Sequence, residues 1–276
     1  MAESSRRTDA SLARGLALAS ETLTAEPAGL LTDFDGTLSP IVSDPGLARL
    51  VDGGHGALAA LVERLAVVAV VTGRAPLDAR RMTGVPGVLI AGNHGTEWLE
   101  PGADESTAAP DASSVTDRLD AVLGSLPSLS GVSVEHKRVS ATIHYRNAPD
   151  GEAALGEILE AIGNSDAQGI EVRRGRMSVE MRPAGFGDKG SASRIIIERF
   201  GLRGVVVMGD DVTDLDMFGA VAELRSAGRI RGTIIGVGGA DGEIPTSVVD
   251  ASDVVLAAPA EAAALLAALA RPPLSR

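Results

Sequence analysis

The run Gly29-Leu30-Leu31-Thr32-Asp33-Phe34-Asp35-Gly36-Thr37-Leu38 decides how this chain is read. Its first half is a short apolar segment of the kind that forms a central strand buried on both faces. Its second half delivers two carboxylates and a turn glycine together at the strand's end. In an open parallel sheet, ligands bind beyond the carboxyl ends of the strands, so this placement nominates a site. Asp-Gly is also a common turn dipeptide, and in isolation the same residues would serve as a surface turn.

Working outward, apolar β-type runs alternate with helical stretches from residue 28 onward. Strands are expected at 29–32, 66–71, 88–90, 204–208, 232–237 and 253–256, with helices near 46–64, 76–83, 188–200, 212–223 and 260–270. This is the alternation of an α/β fold with a parallel sheet. Between about 101 and 187 the grammar changes to a helix, two strands, a second helix and two more strands. Val132, Val134 and His136 alternate there with Ser133, Glu135 and Lys137, as in an antiparallel sheet with one covered face. The expected organisation is a flexible tail, frayed or a short helix, over 1–25, a catalytic core over 26–103 and 186–276, and an inserted α+β domain over 104–185. The polar, Pro- and Gly-containing stretches at 100–111 and 183–187 suit the two crossings.

Composition narrows the classes. The 276 residues contain no cysteine, which excludes disulfide and thiol chemistry, and the formal charge of -12 argues against a general nucleic-acid or anionic-membrane binder. The longest apolar runs, 65–71 and 262–270, fall far short of the roughly 20 residues of a membrane helix. Asp9 and Arg14 interrupt what would have to be a signal peptide's apolar centre. A cytoplasmic protein is expected, with a small molecule rather than nucleic acid or membrane as its partner, and a monomer is favoured.

A second acidic group, Gly209-Asp210-Asp211-Val212-Thr213-Asp214, follows the run 204–208 at an equivalent strand end. Acidic capping of the next helix accounts for one such aspartate, but not for a cluster that a parallel sheet would set beside Asp33 and Asp35. Carboxylates crowded together repel one another, so an ionised cluster at neutral pH calls for a cation, and oxygen ligands without cysteine favour Mg²⁺. Thr72-Gly73-Arg74 after 66–71 offers a hydroxyl, and Lys189-Gly190 at the start of a helix offers an ammonium. Taken together, these groups describe a pocket for a phosphate monoester.

The four segments DFDGT (33–37), VVTGR (70–74), DKG (188–190) and GDDVTD (209–214) resemble the motifs of the haloacid-dehalogenase (HAD) superfamily, in its order. The resemblance implies a HAD-like Rossmannoid core with an inserted cap domain of the α+β, C2 type. It implies Asp33 as nucleophile through an aspartyl-phosphate and Asp35 as general acid and then base. It further implies that Thr72 and Lys189 hold the phosphoryl oxygens, with Gly36, Thr37 and Gly73 close to the substrate. Mg²⁺ would be held by Asp33, the backbone carbonyl of Asp35 and Asp210, supported by Asp211 and Asp214.

A narrower resemblance, to trehalose-6-phosphate phosphatases, lies in GNHGTE (92–97), EHK (135–137), IHYR (143–146) and VEMRP (179–183). It implies that Glu135, Lys137, Arg146 and Glu180 grip hydroxyls of the distal glucose, with Arg74, Asn93 and His94 nearby on the core side. A cap strand with Glu135 and Lys137 on one face offers the paired acceptor and donor that a polyhydroxylated ligand needs, although the same pair would also serve as a surface ion pair. Trp98 and Tyr145 are expected to pack rather than to stack on a sugar. The expected reaction is Mg²⁺-dependent hydrolysis of trehalose 6-phosphate to trehalose and phosphate. Other readings are a different capped sugar-phosphate phosphatase, a hexose-phosphate mutase, or a non-catalytic sugar-phosphate-binding regulator.

Overall fold

The computed structural model describes residues 2–42, 44–108, 113–137, 140–175, 177–184, 187–239 and 243–271. The chain forms two compact units, one made of residues 1–106 with 188–276 and the other of 107–187. Residues 109–112 and 185–186, at or within the expected crossings of 100–111 and 183–187, lie outside the described residues.

The first unit begins with α1 (Ala2–Thr22), β1 (Ala28–Thr32), α2 (Gly54–Val62), β2 (Val67–Val71), α3 (Pro76–Thr83), β3 (Leu89–Gly92) and β4 (Glu97–Leu99). The second unit contains β5 (Thr107–Ala108), α4 (Ser113–Gly124), β6 (Ser133–Lys137), β7 (Ser140–His144), α5 (Gly151–Gly163), β8 (Ile170–Gly175) and β9 (Ser178–Pro183). The first unit resumes with α6 (Lys189–Arg199), β10 (Gly204–Gly209), α7 (Leu215–Ser226), β11 (Arg231–Val237), α8 (Thr246–Ala251), β12 (Val254–Leu256) and α9 (Pro259–Leu269).

In the first unit the strands run in the order β12-β11-β10-β1-β2-β3-β4, parallel except for β4 against β3. Every residue of β1, β2 and β10 is buried, which explains why these strands read as unbroken apolar runs rather than alternating ones. Leu30, Val68, Val70, Val206 and Met208 pack into one core with Ala57, Leu58 and Leu61 of α2 and Leu265 and Leu266 of α9. Helices α6 and α7 pack on each other, and α7 also packs on β10 and β11. Each such side chain contributes roughly 1.5–3 kcal/mol by leaving water.

Of the two readings of the N-terminal segment, the structure has the helix and not a flexible tail. Residues 2–22 form a helix that packs on β12 and α9, with Ala19 fully buried and Leu12 and Leu16 against the same core. The spacing of Leu12, Leu16 and Ala19 puts them on one helical face, which finds its partner only once β12 and α9 are in place. Strand β4 was also not expected; Trp98 within it is 1% exposed and its indole donates to Gly95 O at 2.8 Å.

The register places three strand ends level. Thr32 pairs with both Met208 of β10 and Val70 of β2, and Asp33 N–H continues the ladder to Met208 O at 2.9 Å. The segments after β1, β2 and β10 therefore leave the sheet at one rim.

The second unit is an antiparallel sheet of order β6-β7-β9-β8 with helices α4 and α5. Ala141, Ile143, Val179 and Met181 share a buried cluster with Leu119 and Val122 of α4 and Ile158 and Ile162 of α5. Strand alternation sends their neighbours to the opposite face, where Glu135, Thr142, Glu180 and Arg173 form one row by register. Among the described residues, no helix of either unit is long and apolar enough to cross a membrane.

Candidate active site

Asp33 leaves β1 and is 5% exposed. Lys189, the first residue of α6, points its ammonium at Asp33 Oδ1 (2.7 Å) and Asp214 Oδ1 (2.6 Å). Asp188 caps this helix by accepting from Ser191 N–H at 2.6 Å, which fixes the turn from which Lys189 projects. Asp214 is completely buried, and its Oδ2 accepts the N–H groups of Asp210 (2.9 Å) and Asp211 (3.1 Å). It thus ties the segment after β10 to the lysine.

Asp210 accepts a hydrogen bond from Thr37 at 2.9 Å. Gly36 sits at φ 81, and a Cβ there would lie 1.9 Å from Asp210 Oδ2. The glycine is required both by the left-handed backbone and by the close approach of the carboxylate. Gly36 and Thr37, expected at the substrate, thus hold Asp210; the reason is the level register of β1 and β10, which sets the turn after one strand against the carboxylate after the other.

Asp33, Asp210 and Asp214 each present a carboxylate oxygen, and these oxygens lie within 4.8 Å of one another. Burial is the main force that raises Asp33 to about 7, against the lowering pull of Lys189, with Asp214 adding to the rise. Asp210 is also raised to about 7, by burial first and then by the charges of Asp33 and Asp214. Burial alone would lower the Lys189 pKa, but Asp33 and Asp214 outweigh it and push it up. Three buried carboxylates against one ammonium leave an excess of negative charge, and the donors are all oxygen. That is the donor set of a hard divalent cation, so the residues fit Mg²⁺. The carboxyl groups of Asp35 and Asp211 are not part of this cluster. Asp35 is held by Arg74 through Nε to Oδ2 and Nη2 to Oδ1, both at 2.6 Å.

The segment after β2 is laced to the one after β3. His94 N–H donates to Thr72 O (2.9 Å) and Asn93 N–H to Arg74 O (2.8 Å). Asn93 and His94 both adopt positive φ, 48° and 57°, an uncommon conformation for non-glycine residues that here turns the chain back at the site.

Asp33, Asp35, Thr72, Gly73, Arg74, His94, Lys189, Asp210 and Asp211 line one cavity of about 900 Å³. Asn93 contributes its turn rather than a place on the wall. Sequence reasoning missed Ile41, Val42, Thr213, Gly239, Glu243 and Pro245, which also line it. Gly239 had a usable signal, because it follows a parallel strand neighbouring β10; the apolar pair Ile41 and Val42 had none.

The expected sugar-binding residues lie in the second unit. Glu135 is exposed and lies 3.3 Å from His144, and Glu180 is half-buried. Arg146 is exposed in the turn after β7. The Lys137 side chain lies outside the described residues. Arg182, which sequence reasoning left unassigned, is buried and donates to Glu171 Oε2 (3.0 Å) and to Gly187 O.

Comparison with known proteins adds to this geometry. The family model described as trehalose-phosphatase matches residues 31–237. A trehalose-phosphate phosphatase of Mycobacterium avium is 41% identical over 201 residues, which is 68% of this chain and 50% of that protein. One from Mycobacterium marinum is 37% identical over 211 residues, 72% of this chain and 53% of that protein. The chain thus spans about half the length of these curated relatives. Among solved structures, Aspergillus fumigatus trehalose-6-phosphate phosphatase is similar at TM-score 0.66 and 25% identity, covering 92% of this chain and 97% of that one. A haloacid dehalogenase-like hydrolase from Bacteroides thetaiotaomicron shares the fold at TM-score 0.54 and 14% identity, over 88% of this chain and 98% of that one. The architecture is that of a HAD-like α/β core with an inserted α+β unit.

Proposed function

Because the chain belongs to the trehalose-phosphatase family, we propose that it hydrolyses trehalose 6-phosphate to trehalose and phosphate. The observation that carries the reading is the buried Asp33–Lys189–Asp214 triad beside Asp210 at one sheet rim, within the segment matched by that family.

In this reading Asp33 attacks phosphorus and forms an aspartyl-phosphate while the sugar oxygen leaves, and water then releases phosphate and restores the carboxylate. Asp35 donates the proton that the leaving oxygen takes up and later accepts one from the attacking water. Lys189 opposes the effect of burial on Asp33, favouring its carboxylate form, and adds positive charge beside the phosphoryl group. Thr72, buried on the cavity wall, offers its hydroxyl to a phosphoryl oxygen. Asp33, the backbone carbonyl of Asp35 and Asp210 would hold Mg²⁺, with Asp214 setting the backbone around them; the ion would offset the repulsion between an anionic site and an anionic substrate. Glu135, Arg146 and Glu180 take the distal sugar, which their polar sheet face and exposed turn suit chemically.

The test compares phosphate release from trehalose 6-phosphate, glucose 6-phosphate and other sugar phosphates, in Mg²⁺ and in EDTA. Release should favour the disaccharide, require the metal and vanish in Asp33→Asn. Equal rates across the panel, or equal rates with EDTA, would overturn the proposal.

A further inference from the structure

Among the described residues, the lysine and the arginine that line the cavity are both already matched to carboxylates. Lys189 is shared by Asp33 and Asp214. Arg74 makes a two-pronged pair with Asp35 in which both carboxylate oxygens are engaged at 2.6 Å. Its guanidinium also lies 5.7 Å from the centroid of the buried Phe34 ring. Against these two cations the same wall carries Asp33, Asp35, Asp210, Asp211 and Glu243.

This arrangement poses two problems for a phosphate monoester. The dianion meets a wall whose arginine is already taken up by Asp35, and the Asp35 carboxylate is aimed with both oxygens at Arg74 rather than at a leaving oxygen. One exchange removes both. A guanidinium fork matches two phosphoryl oxygens as well as it matches two carboxylate oxygens, and a phosphate carries the greater charge. Arg74 and Asp33 line the same cavity, so the fork and the attacking carboxylate open on one space.

We infer that Arg74 is a positioning residue that holds Asp35 in a resting place until the substrate's phosphate takes over the guanidinium fork, which releases Asp35 for proton transfer. The group that moves protons is thereby set loose only when there is a phosphoryl group to act on. The inference rests on the phosphatase reading and deepens it, since a fixed contact of Arg74 with substrate involves no such hand-over.

The decisive experiment is a crystal structure of the full chain with Mg²⁺ and inorganic phosphate. Arg74 should bond the phosphate, with both Arg74–Asp35 separations beyond hydrogen-bond distance; phosphate bound with the pair intact would overturn the exchange. In solution, Arg74→Gln should weaken inhibition by inorganic phosphate roughly 10–100-fold, the scale of charge-assisted hydrogen bonds. Arg74→Lys, which restores charge without the fork, should recover only part of it. A clamp with a purely structural role would lower kcat and leave phosphate inhibition unmoved, and that result would also refute the idea. Wild-type turnover of trehalose 6-phosphate separates the two proposals: turnover with an intact pair defeats the exchange alone, whereas no turnover defeats the substrate assignment and leaves the phosphate-bound structure to judge the exchange.

Discussion

Replacing Lys189 with methionine probes the centre of the site. Lys189 is 3% exposed, and its ammonium bonds two buried carboxylates at 2.7 and 2.6 Å. Methionine fills similar volume but leaves Asp33 and Asp214 facing each other without a counter-charge. Breaking a buried pair from one side typically costs about 3–5 kcal/mol, because the orphaned charge stays desolvated. For a protein of this size about 1 kcal/mol moves Tm by roughly 2–4 °C, so Lys189→Met should lower Tm by about 6–20 °C in EDTA. Differential scanning calorimetry reads this directly. Combining the substitution with Asp214→Asn should cost less than the sum of the two single changes by at least about 1 kcal/mol, since the second removes one of the stranded charges. A single variant within about 1 kcal/mol of wild type, or strict additivity in the double variant, would refute the electrostatic account of the triad.

Three more outcomes follow from the geometry. Gly36→Ala should weaken activation by Mg²⁺ at least tenfold in a metal titration, because the new Cβ displaces the Asp210 carboxylate; an unchanged midpoint would show that Asp210 is not a ligand. Asp33 and Asp210 have pKa values of about 7 in the fold against an ordinary 3.8, so the folded state holds extra protons between these values. Their contribution is fully present below about pH 4 and is lost as pH rises through about 7, so without metal Tm should fall over that window, and the rise in Tm caused by Mg²⁺ should be larger at pH 8 than at pH 5. Equal rises at both values in thermal scans would count against the cluster. Finally, Asp150 caps α5 by accepting from Ala153 N–H at 3.0 Å, so Asp150→Ala should destabilise the second unit by about 0.5–2 kcal/mol, read as earlier urea unfolding.

The chain's own residues determined the class of fold and the chemical identity of the core site. Unbroken Leu and Val runs can be satisfied only by strands covered on both faces, and aspartates at the ends of such runs have one rim on which to gather. The hairpin grammar of the cap was equally legible, because alternation with period two records which face is dry. What the linear order does not encode is which group each side chain is matched to. Arg74 is paired with Asp35, and Thr37 donates to Asp210 beside the close-packed Gly36, because register and strand twist decide which atoms come within 3 Å of each other. The N-terminal helix likewise needed β12 and α9, distant in sequence, to bury its Leu12, Leu16 and Ala19 face. Local chemistry is written residue by residue, whereas pairing is a property of distances that exist only after the sheet has closed its order.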